Sequence, residues 1–175
     1  MAKQNPQTKA GDIFAIPIDE GRVGYGHVLL HEVASYPLYV AVFRAIWAAD
    51  SPPPVAEIVS SEVALLGGTM DAFIWHGSWP IVANSSPDLQ RFPWPHFICG
   101  PSERCHVEDF HGRVIRCATP EDQSFYPLRF TRAPIAYEST LRAIHGIGPW
   151  PAKHDKITYE YVLSRAAEHP TPKVA

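Results

Sequence analysis

Asp12-Ile13-Phe14-Ala15-Ile16-Pro17-Ile18, then Asp19-Glu20-Gly21-Arg22, then Val23-Gly24-Tyr25-Gly26-His27-Val28-Leu29-Leu30: this stretch decides the fold. Its two outer runs are rich in β-branched and aromatic residues, and the four residues between them carry turn chemistry, so the whole predicts a β-hairpin. Gly24 and Gly26 alternate with Val23, Tyr25 and His27, which leaves one face of the second strand nearly bare. Such a face suits a strongly bent strand or the close approach of another chain segment. A small curved sheet is expected to begin here.

Working outward, Leu38-Tyr39-Val40-Ala41-Val42-Phe43 predicts a third strand, whose continuation through Ile46 and Trp47 either bends or begins a helix. Ser51-Pro52-Pro53-Pro54 is a stop, with one or two helical turns expected over Val55–Val59. Strand character returns at Val63–Met70, followed by two short apolar segments, Phe73–Trp75 and Trp79–Val82. Prolines at 80, 87, 93, 95 and 101 leave little room for a central strand. Residues 83–101 are therefore expected as an ordered loop carrying Phe92, Trp94 and Phe97 across the core. A second hairpin is predicted from Cys105–Glu108 and Val114–Cys117, around Asp109-Phe110-His111-Gly112-Arg113. Helices come late: Ser139–Ile144, closed by Gly146, and Asp155–Ala167, with Asp155 as N-cap. The order implies an α+β fold, a curved antiparallel sheet, SH3-barrel-like at its N-terminal end, with two C-terminal helices. Residues 1–10 are polar and read as a flexible tail, and 11–175 as a single globular domain.

Composition narrows the function classes. With 46% hydrophobic and 19% charged residues, the 175-residue chain has enough apolar surface for a core without disulfides or a structural metal. Its 18 prolines exclude long helical bundles. A net charge of −3 and a pI near 6.3 argue against nucleic acid as partner. No apolar run reaches membrane-spanning length and the N-terminus lacks a secretory stretch, so a cytoplasmic protein without membrane contact is expected. Cys99, Cys105 and Cys117 have no CxxC spacing and fit reduced thiols. Residues 11–71 carry eight acids against Arg22 and Arg44, a net −6, while residues 1–10 carry +2 and residues 72–175 carry +1. That asymmetry is either a solvated face or a field that steers a basic protein partner.

The residues that carry chemistry form no familiar constellation. His27 and His31 lie four apart, a spacing that brings two imidazoles together on a helix and not on a strand. Cys99, Cys105, His106, His111 and Cys117 are the densest set of metal-capable residues, but their gaps are not those of a zinc site. Nothing in their neighbourhood marks an activated thiol. Phosphate loops, Gly-x-Ser-x-Gly and His-Glu-x-x-His are absent, and no cofactor is implied. The tryptophans are expected in the core, Trp75, Trp79 and Trp94 foremost.

The first hairpin also carries a resemblance. Gly11-Asp12-Ile13-Phe14-Ala15-Ile16-Pro17 followed by Gly24-Tyr25-Gly26-His27-Val28-Leu29 resembles the opening of the immunity protein 26 family, and Gly77-Ser78-Trp79-Pro80 is similar to that family's tryptophan-bearing strand. The matching signature positions are Gly11, Asp12, Phe14, Pro17, Gly26 and Trp79, while His27 stands where an arginine is more usual. The resemblance implies a bacterial, non-catalytic protein that binds and neutralises a cognate toxin made by the same cell. Asp19, Glu20, Glu32 and Asp50 are then the acids expected to face a basic toxin surface. The family also resembles a small organophosphate hydrolase, so the alternative is a metal-dependent phosphotriesterase-like activity. It would need several of His27, His31, His76, His106, His111, Glu108 and Asp109 to converge on a metal. A self-associating structural protein is the third reading.

Overall fold

The first hairpin forms as expected: β1 (Asp12–Pro17) pairs antiparallel with β2 (Arg22–Leu30), Phe14 opposite Gly26 and Ile16 opposite Gly24. Asp19 closes the turn, accepting from the Gly21 N–H and from the Arg22 guanidinium. The computed structural model describes residues 8–31 and 38–168. These fall into two compact units, one built from the chain up to Leu89 with 131–159, the other from 90–130 with the chain from Glu160.

In unit 1, β3 (Leu38–Ala48) pairs with β2 along its length, and its Ile46-Trp47 end stays strand because it lies opposite Gly24 and Val23. After three prolines, α1 (Val55–Ser60) leads into β4 (Val63–Thr69), which pairs with β3. The short apolar segment after it is a helical turn, α2 (Ala72–Trp75), and β5 (Ile81–Asn84) returns to the free side of β1. The sheet has the order β5-β1-β2-β3-β4-β9, where β9 (Thr131–Arg132) runs parallel to β4. It is open: β9 ends after two residues, where Pro134 begins α4 (Pro134–Ile144), so the barrel-like start does not close. The α+β class holds.

The bare strand face has a structural reason. A Cβ at Gly26 would stand 2.3 Å from Cζ of Phe14, and one at Gly24 would stand 2.5 Å from Cδ2 of Leu141 on α4. The glycines therefore let β1's aromatic ring and the helix settle onto β2. Across the sheet, Gly67 makes room for the Tyr137 hydroxyl, which donates to the Gly68 carbonyl at 3.0 Å. α4 starts earlier than the sequence predicts, with Pro134 in its first turn, and ends at Ile144, with His145 as C-cap and Gly146 after it. Gly146 has φ +74°, and the N–H groups of Gly146 and Ile147 satisfy the carbonyls of Ala143 and Arg142.

Unit 2 contains the predicted second hairpin, β7 (His106–Glu108) with β8 (Val114–Cys117). The proline-rich segment adds β6 (Phe97–Cys99) beside β7, a strand against which the proline count argues. Its three residues fit between Pro95 and Pro101, and the outer edge of β6 is met by the Pro127 carbonyl and the Arg129 N–H. Phe92 and Phe97 are buried, whereas Trp94 is partly exposed and stacks on Phe110. α3 (Pro120–Phe125), unanticipated, starts on a capping box between Thr119 and Asp122.

The last helix corrects another expectation. Asp155 is not its N-cap: Ala152–Ile157 forms a tighter 3-10 turn and Thr158 is extended, bridging to Leu65, so α5 (Tyr159–Glu168) starts four residues later. Two of the three tryptophans expected in the core are not fully in it, since Trp75 is 50% exposed and Trp94 is half-buried. Of the tail expected over residues 1–10, residues 1–7 lie outside the described residues, and Thr8 is buried. No helix among the described residues is long and apolar enough to cross a membrane.

Candidate functional site

The signature residues Gly11, Asp12, Phe14, Gly26 and Trp79 lie around the β1–β5 side of unit 1, and Pro17 ends β1 at the turn. Gly11 has φ +91°, and a Cβ there would press to 2.9 Å from the Ser85 carbonyl. Asp12 is buried, and its carboxylate accepts from the Lys9 N–H and the Asn84 side-chain amide, both at 2.8 Å. Phe14 lies flat over Gly26 and stacks on Trp79, with ring centroids 5.1 Å apart and planes within 8°. Trp79 is fully buried, meets the edge of Phe73, and donates from Nε1 to Glu138 Oε2 at 3.2 Å. Pro17 is exposed, but its carbonyl accepts from Arg142 on α4 at 3.2 Å. His27 is buried, with Nε2 2.8 Å from the Ser85 carbonyl. Apart from Pro17, this set builds the scaffold and offers little to a partner.

The expected acidic residues lie elsewhere, and the structure brings three of the four to one end of the sheet. Asp19 and Glu20 sit in the β1–β2 turn, and the Gly21 carbonyl accepts from the Ala49 N–H at 2.9 Å, which places Asp50 beside them. Glu32 lies outside the described residues. Arg22 grips Asp19 through Nε at 2.8 Å and Nη2 at 2.5 Å, holding that carboxyl below its usual pKa and raising its own. Glu20 and Asp50 are exposed. Two acids not singled out from the sequence lie further along β3: Glu57 on α1, 3.4 Å from the Trp47 indole nitrogen, and Glu62, paired with Arg44 at 2.7 Å. The charge balance of residues 11–71 is the signal that covers both. Arg22 and Arg44 are paired with Asp19 and Glu62, and Arg142 reaches the Pro17 carbonyl, so Glu20, Asp50 and Glu57 carry the acidic character of this region.

The described histidines do not converge. Among the described residues, no group of three or more His, Cys, Asp or Glu side chains is arranged to hold a metal. In unit 1, His31 Nδ1 lies 2.7 Å from the Thr8 carbonyl, a partner different from that of His27. In unit 2, Glu108 is buried and taken up locally: it accepts from the Cys99 thiol at 3.0 Å, lies 2.6 Å from His106 Nε2, and pairs with Arg129 at 3.1 Å. Burial, reinforced by the Glu108 carboxylate, pushes the Cys99 thiol up to about 11. At neutral pH the thiol keeps its proton and donates a hydrogen bond to Glu108.

Comparison with known proteins bears on the unit 1 scaffold. The sequence profile described as Immunity protein 26 matches residues 9–102, just over half of the chain and the span that holds every signature position. No curated protein and no solved structure matches.

Proposed function

Because the chain belongs to the immunity protein 26 family, we propose that it works in the bacterial cytosol as a non-catalytic immunity protein, neutralising a cognate polymorphic toxin by binding it. The observation that carries this reading is the family match over the residues that build the β1–β5 scaffold, Phe14 on Gly26 and Trp79 on Phe14. The toxin docks on the acidic end of the sheet, through Asp19, Glu20 and Asp50, with Glu32 assigned to the same surface from the sequence. Its docking face is basic, because opposite potentials speed encounter and set register. Support comes from the exposure of Asp19, Glu20 and Asp50, which the Gly21–Ala49 backbone bond brings to the same turn.

The test is to co-express the chain with each product encoded beside its gene and score growth and co-purification. Rescue of growth by a stoichiometric complex is the expected result. Rescue without a complex would overturn neutralisation by binding, and no rescue with any neighbour would overturn the immunity role.

A further inference from the structure

We draw no further inference here: the strongest candidate, the exposed apolar side chains Met70 after β4, Trp75 on α2 and Ile135 on α4, is unpartnered apolar surface and nothing in the structure shows what covers it.

Discussion

The two units solve the same problem with different forces. Unit 1 buries large apolar side chains completely, among them Phe14, Phe43, Leu65, Trp79, Tyr137 and Leu141. Each such side chain contributes about 1.5–3 kcal/mol by leaving water. Unit 2 has a small cluster of Ile98, Cys105, Val107 and Tyr126, and around it three carboxylates are tied to arginines: Glu108 to Arg129, Asp109 to Arg113 and Asp122 to Arg116. Arg129 also donates to the Asp109 carbonyl and lies over the Phe97 ring at 4.5 Å. A three-stranded sheet with strands of three or four residues cannot enclose much apolar volume, so charge pairing takes a larger share. Apolar burial depends little on pH, whereas a buried carboxylate holds structure only while it is ionised and partnered.

The sharpest way to break this contrast is to damage each unit by its own force. Trp79→Ala removes the stack on Phe14 and the bond to Glu138, and should destabilise by roughly 3–5 kcal/mol, as other buried aromatic truncations do. Hydrogen exchange should show the loss over β1 to β5. Glu108→Ala removes the buried carboxylate that Cys99, His106 and Arg129 share and should cost about 3–5 kcal/mol, with protection lost over β6 to β8. If either variant loses protection evenly across all strands, the units unfold as one body and the contrast has no energetic meaning.

Gly26→Ala is milder, because one methyl group must displace a ring. Phe14 cannot swing away without leaving Trp79, so overpacking should cost about 1–3 kcal/mol, read from the shift of a denaturant midpoint.

Acid should separate the units further. Burial acts to raise Glu108, but bonds from Cys99 and His106 and the charge of Arg129 outweigh it and hold the carboxyl below its usual 4.5. For Asp109 burial again acts upward and is overcome by Arg113 through backbone and side-chain bonds, while Asp122 is drawn down to about 2, first by Arg116. Their contribution is fully present above about pH 4.5 and is lost as pH falls toward 2. Unit 1 has a different titrating group, His154, lowered by burial and by Lys153 and Arg132. The stability tied to its neutral form is present above its usual 6.5 and declines below it. Exchange measured from pH 7 to 3 should show a shallow early loss near His154 and a later loss over β6 to β8. Loss over β6 to β8 beginning above pH 5 would refute the carboxylate account.

The smallest effect on stability is expected at the acidic end. Reversing Asp19 and Glu20 to lysine should leave the unfolding midpoint almost unchanged, since both are exposed and the Arg22 pair is a surface one. Association with the toxin, followed by stopped flow across salt concentrations, should nevertheless slow and lose its salt dependence. Unchanged kinetics would remove the docking site from this surface.

How much is legible in the sequence follows the range of the forces involved. The first hairpin, β4 and the β7–β8 hairpin are readable because alternation and turn chemistry act over a few residues, and Gly146 is readable as a helix stop for the same reason. The bare face at Gly24 and Gly26 announces that something approaches closely, but not that Phe14 and Leu141 are what approach. β6 is hidden by prolines that flank it without entering it, and the start of α5 reads too early because Asp155 has N-cap chemistry but lies in the turn before. The acidic surface is half legible: the charge excess is a property of the composition, whereas its assembly depends on the Gly21–Ala49 pairing and on α1 returning to Trp47.

Alone, then, the sequence determined the strand-forming hairpins, the α+β order, the family and the surplus of acid in the first half, all of which are written in short-range pattern and composition. Only the tertiary structure decided that the signature residues apart from Pro17 are scaffold, that Asp19, Glu20 and Asp50 share one end of the sheet, that the described histidines take separate partners, and that Glu108 lies buried between Cys99, His106 and Arg129. Those outcomes depend on contacts between residues distant in the chain, and local periodicity carries no information about which distant side chain will fill a given space.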